Sequence, residues 1–144
     1  MFKMKDKEIW DLLISKAKEV QNHRILSPFI ECGQVGAALM TKSGNIYTGV
    51  CIDTASTLGI CAERNAIHTM ITNGESKIDR IVCIDSKGNA GAPCGACREL
   101  IMQLDKDSKD IKFLMNTNTY EYVTMKELVP NWWGYDRFEN KKEQ

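Results

Sequence analysis

Four residues carry a pattern that packing alone does not require: Cys61 and Glu63, then Cys94 and Cys97 in Pro93-Cys94-Gly95-Ala96-Cys97. Two cysteines three apart at the opening of a helix can turn both thiolates toward one ion. Cys61 opens another helix and can supply a third. Three protein ligands leave one corner of a tetrahedron to water, which separates a catalytic zinc site from a closed structural one. Glu63 follows its cysteine by two residues, offset from the ligand direction, and suits proton handling rather than metal binding. The non-catalytic alternative is a structural zinc site closed by a fourth cysteine, with Cys51 as the candidate. Such a site has no use for Glu63 at that offset. Cys32, Cys51 and Cys83 otherwise read as ordinary buried or half-buried thiols. His68 and His23 read as core or surface histidines without a catalytic role.

These residues must be held by elements that the apolar pattern outlines. Ile9, Leu12, Leu13, Ala17 and Val20 fall at helical spacing and predict an amphipathic helix over roughly Asp6 to Val20. Val35 to Thr41 and Ile46 to Ile52 read as strands joined by a hairpin turn at Lys42-Ser43-Gly44-Asn45. A helix runs from Cys61 to about Asn73, with Gly74 just past its end. Ile78 to Ile84 reads as a buried strand and Ser86 to Pro93 as a loop. A short helix follows from Cys94 to about Leu104. Ile111 to Met115 and Tyr120 to Thr124 read as two strands, and Met125 to Leu128 as a helical turn. The order predicts an α/β fold, a mixed sheet of about five strands between helices in three layers.

With 144 residues, 43% hydrophobic and 26% charged, the chain fits one globular domain spanning 1–144. Nineteen basic residues balance nineteen acidic ones, so the basic excess expected of a nucleic-acid binder is missing. No apolar run reaches the ~18 residues of a membrane span, and Met1 to Glu8 leads into no signal-peptide-like stretch. The expectation is a cytoplasmic protein without nucleic-acid or membrane partners. In a reducing compartment, closely spaced cysteines are more often metal-binding or catalytic than disulfide-bonded. Glu139 to Gln144 reads as a solvated charge run.

A Cys-x-Glu followed by Pro-Cys-x-x-Cys is the arrangement of zinc deaminases, and the chain resembles the cytidine deaminase family in its three-cysteine form. The matching segments are Gly59 to Arg64, Pro93 to Glu99, Val35 to Leu39 and Glu127 to Pro130. The resemblance implies a cytidine deaminase-like fold with Zn2+ on Cys61, Cys94 and Cys97. It also implies metal-assisted hydrolysis of a cytosine nucleoside in which Glu63 moves the protons. Backbone groups of Ala62 and around Pro93 would meet the pyrimidine edge. Three thiolates on a dication leave a charge near −1. Two helix N-termini, and hydrogen bonds to the thiolates from Arg64 and Arg98, would offset it; Arg64 matches an arginine with that role in the family.

The substrate side departs from the family pattern. Where family members acting on cytidine carry Asn-x-Glu for the ribose, this chain has Cys51 and Asp53. The phenylalanine that stacks on the base would fall near Cys32 or Gly33, where Phe29 to Gln34 carries an insertion. Three substrate readings follow: cytidine or deoxycytidine with an altered ribose pocket, a modified nucleoside such as blasticidin S, or another aminated heterocycle or free base. Trp132 and Trp133 read as packing or interface anchors, or, by resemblance for Trp133, as the aromatic that closes the site near a neighbouring subunit. The resemblance implies a homotetramer, with a dimer as the smaller alternative.

Overall fold

The computed structural model describes residues 5–140; residues 1–4 and 141–144, which include most of the expected C-terminal charge run, lie outside it. Helix α1 (Asp6–Val20) covers one face of the sheet. It buries Leu13 and Ala17 of the expected stripe together with Trp10 and Ile14, while Ile9, Leu12 and Val20 are only half-buried, so its core face is rotated somewhat from the one expected. The reason is Trp10, the largest apolar side chain of the helix. It takes the core position, with the Arg80 guanidinium 4.9 Å above its ring.

Six strands form one mixed sheet: β1 (Arg24–Ser27), β2 (Ile30–Thr41), β3 (Ile46–Thr54), β4 (Ile78–Ile84), β5 (Lys112–Leu114) and β6 (Tyr122–Thr124). β3 pairs antiparallel along one edge of β2, while β1 and β4 divide the other edge. β5 then runs parallel to β4, and β6 antiparallel to β5. β1 and the first five residues of β2 were not expected. β1 shows no polar–apolar alternation, and Pro28 sits in the turn that joins it to β2. The β2–β3 pairing shifts register between Cys32 and Gly36, within the stretch that follows Phe29.

Alternation along the strands sends Ala37, Leu39, Ile81 and Phe113 to one core and Ala38, Val82, Ile84 and Leu114 to the other. Helix α1 closes the second core. The first lies under α2 (Ala62–Thr72) and α3 (Gly95–Leu104), with α4 (Met125–Leu128) and Trp132 at its end. This gives the expected three layers. A further helix, α5 (Tyr135–Asn140), packs Tyr135 and Phe138 against Trp132.

Helix α2 sits unusually close to the sheet because of Gly49. A Cβ there would lie 2.4 Å from the backbone nitrogen of Ala66, so only hydrogen fits. Asn65 adds a 3.1 Å hydrogen bond from Nδ2 to the Val50 carbonyl. At the other end, Gly74 N–H reaches the Ile71 carbonyl at 2.9 Å and Glu75 N–H the Met70 carbonyl at 3.1 Å. That pair of bonds is a Schellman stop at the predicted glycine. Glu75 is then tied to the β2–β3 hairpin by Ser43, Asn45 and Tyr47.

Candidate active site

The two helices α2 and α3 begin at one place. Cys61 and Cys94 are their N-cap residues, both extended (φ −70° and −67°), and Cys97 lies in the first turn of α3. Ile52 and Ile60 exchange two backbone hydrogen bonds of 3.0 Å, folding the loop 53–59 back onto β3 and delivering Cys61 to the start of α2.

The Sγ atoms of Cys61, Cys94 and Cys97 all lie within 4.8 Å of one another. Cys61 to Cys94 and Cys94 to Cys97 are each 3.5 Å. A tetrahedral zinc with sulfur ligands at ~2.3 Å requires edges of about 3.8 Å, so the three sulfurs fit that ion with little adjustment. Among the described residues no fourth metal-binding side chain joins them. Cys51, the candidate for a closed site, is engaged elsewhere: its Sγ accepts from Val35 N–H and donates to Gln34 Oε1, both at 3.3 Å.

The electrostatics of the cluster are graded from rim to core. Burial pushes the exposed Cys94 thiol up, but hydrogen bonds from the Cys97 N–H, the Cys97 and Cys61 thiols and the Ala96 N–H outweigh it, so Cys94 ends below the ordinary thiol range. Cys97 is fully buried, and burial followed by the Glu63 carboxylate pushes its thiol up. A bound dication overrides these differences by ionising every coordinating thiol. Arg64 stands over the cluster with Nη2 3.6 Å from Cys61 Sγ, and its hydrogen bonds to Cys61 and Cys97 hold it firmly charged.

Arg98 does not share that role. Its Nε donates to the Pro93 carbonyl at 2.8 Å and Nη1 to the Leu128 carbonyl at 3.3 Å. It points along the backbone, away from the thiolates, and pins the Pro93 segment to the end of α4.

Glu63 sits in the first turn of α2, only 5% exposed. Its Oε1 accepts a 3.1 Å hydrogen bond from the Cys83 thiol at the end of β4. Burial, then the charge of Glu63, pushes that thiol up and keeps it protonated. The sequence had offered Cys83 only as an ordinary thiol. The available signal was its place two residues after Ile81, on the face that α2 covers.

A cleft of about 330 Å3 opens in front of Cys61, lined by Cys51, Asp53, Thr57, Ile60 and Arg64 among others. Cys51 and Asp53 thus line the same cleft as Cys61. Ala62 and Pro93 are buried beside the cluster. No aromatic ring occupies the position expected for base stacking. Gly33 has φ +87°, and a Cβ there would lie 2.1 Å from the Asn22 carbonyl oxygen, while Cys32 is buried. Trp133 does not line this cleft. Its indole donates to Glu99 at 2.9 Å, beside the Trp132 indole, on the outer side of α3.

The sequence model of the cytidine and deoxycytidylate deaminase zinc-binding region matches residues 8–115. A cytidine deaminase of Mycoplasma genitalium is 30% identical over 97 residues, 66% of this chain and 75% of that protein. A blasticidin-S deaminase of Bacillus cereus is 34% identical over 105 residues, 67% of this chain and 74% of that protein. The crystal structure of a cytidine deaminase from Mycobacterium leprae superposes with a TM-score of 0.70 at 28% identity, covering 85% of this chain and 98% of the other. With the matched region spanning both cysteine segments and the same fold around them, the chain belongs to the zinc-dependent cytidine and deoxycytidylate deaminase family.

Proposed function

We propose that this chain hydrolyses a cytosine nucleoside to its uracil counterpart and ammonia, with Cys61, Cys94 and Cys97 holding zinc and Glu63 carrying the protons. The observation behind this reading is the buried Glu63 carboxylate beside three sulfurs that lack a fourth protein ligand among the described residues. Zinc in such an open site supplies a water that ionises near neutral pH. Glu63 accepts the proton released as the water oxygen adds to the amine-bearing ring carbon. It passes that proton to the ring nitrogen, then takes the second proton from the hydroxyl now on the carbon and gives it to the departing amine, leaving the carbonyl and ammonia. Arg64 and the two helix N-termini soften the negative charge of three thiolates.

The sugar side of the cleft offers few fixed partners. Cys51 spends its thiol on Gln34 and Val35, and Asp53 is exposed. A pocket without committed hydroxyl partners discriminates weakly at the sugar. Similarity to the Bacillus cereus blasticidin-S deaminase favours a modified cytosine nucleoside as the second reading. Ammonia release from cytidine, deoxycytidine, cytosine and blasticidin S should give kcat/KM values for the nucleosides within roughly tenfold, about 1.4 kcal/mol. The double change Cys51→Asn with Asp53→Glu should raise cytidine relative to the others. A wild-type preference of about a thousandfold for cytidine would contradict the weak-pocket account, and no ammonia from any of the four would contradict the function.

The chain forms one domain and works in the cytoplasm as a homotetramer. A cluster of free thiols suits a reducing compartment, and no helix among the described residues is long and apolar enough to cross a membrane. The tetramer draws support from an apolar surface that continues into the cleft. Leu58 is 84% exposed, Ile25 74% and Phe29 69%, and the hollow under this hairpin shares Asp53 and Thr54 with the cleft.

A further inference from the structure

A carboxylate as buried as that of Glu63 needs a donor to hold it. Among the described residues one side chain hydrogen-bonds it, the thiol of Cys83, 3.1 Å from Oε1. The two come from different layers. Cys83 is fixed in the sheet, opposite Ala37 in the β2–β4 ladder, and Glu63 is fixed in the first turn of α2. Cys83 stands apart from the three-sulfur cluster, so its proton is free to be donated. It also does not line the cleft that holds Cys51, Asp53 and Arg64.

We propose that Cys83 is a positioning residue for Glu63. Its S–H donates to Oε1 and so fixes the carboxylate rotamer, leaving Oε2 to exchange protons with the substrate. A thiol that donates to a carboxyl oxygen at this distance ties the side chain to the sheet. A glutamate side chain has three torsions, and a shuttle must present the same oxygen in every cycle. The bond across the sheet–helix boundary removes that freedom without occupying the cleft. Its loss therefore falls on the chemical step rather than on substrate binding.

This inference rests on the deaminase reading above, and the experiment separates the two. Cys83→Ala and Cys83→Ser are compared with wild type for kcat, KM, zinc content and thermal stability. Cys83→Ala should lower kcat by roughly tenfold or more, with KM within about twofold and zinc unchanged. Cys83→Ser, which restores a donor of similar size, should recover most of the loss. In the infrared, the S–H stretch that disappears in Cys83→Ala should lie at lower wavenumber in wild type than in Glu63→Ala. Wild-type kcat in Cys83→Ala, a serine variant as slow as the alanine one, zinc loss in either, or an S–H band indifferent to Glu63→Ala would each overturn the positioning role. If wild type itself releases no ammonia, the deaminase reading fails, while the infrared comparison still decides whether the bond exists.

Discussion

At the residue scale the proposed chemistry falls to three thiols, one carboxylate and one guanidinium. Cys61, Cys94 and Cys97 sit at the start of two helices, so their sulfurs share the partial positive charge of both termini. Replacing any one leaves two sulfurs and an ion that holds poorly. Cys97→Ala should therefore lose zinc and lower stability by roughly 4 kcal/mol or more, because metal binding and folding are linked. Cys51→Ala should keep one zinc per chain, since Cys51 is bonded to Gln34 and Val35 instead. Elemental analysis with thermal melts checks both, and zinc retained in Cys97→Ala would remove it from the ligand set. The ligand spacing was legible because Cys-x-x-Cys and Cys-x-Glu are local patterns. Cys83 was not, since it is twenty residues from Glu63 and meets it only through the packing of β4 under α2. Arg98 misled for a related reason. Adjacency to a ligand segment says nothing about side-chain direction, and two backbone carbonyls compete for its guanidinium.

At the scale of elements, α2 is the part that must not move. Gly49 lets its backbone touch β3, and Glu75 anchors its far end to the β2–β3 hairpin. Hydrogen bonds from Ser43, then Tyr47 and Asn45, pull the Glu75 carboxyl down to about 2 from its ordinary value near 4.5. The sign follows from linkage: a depressed carboxylate stabilises the fold above its unfolded pKa and loses that contribution as pH falls through the folded one. Glu75→Gln should thus be less stable than wild type at neutral pH. The gap should close between about pH 4.5 and 2, and denaturant melts at several pH values would measure it. A gap constant down to pH 2 would show that the carboxylate is not the group responsible. Most elements were legible from apolar period and turn residues, including the Gly74 stop. β1 was not, because four residues without alternation carry no strand signal. The core face of α1 was read in part: Leu13 and Ala17 lie on it as expected, but Trp10 and Ile14 take the places given to Leu12 and Val20.

At the scale of the whole molecule, the exposed apolar hairpin and the open cleft belong together. Ile25 and Phe29 line a hollow that shares Asp53 and Thr54 with the cleft, and Leu58 is exposed on the loop 53–59, so a second copy seated there would bury this apolar surface next to the cleft. Light scattering should report a tetramer, and Phe29→Glu with Leu58→Glu should yield smaller species with reduced activity. A fully active wild-type monomer would contradict this assembly. The most direct measurement of the central assignment is ammonia release from cytidine by zinc-loaded wild type and Glu63→Gln, with zinc determined on both. Zinc should be equal, one per chain, and turnover in Glu63→Gln should fall by ~10²–10⁴-fold or more. Near-normal turnover with Glu63→Gln, or a wild type that releases no ammonia while fully loaded with zinc, would contradict it.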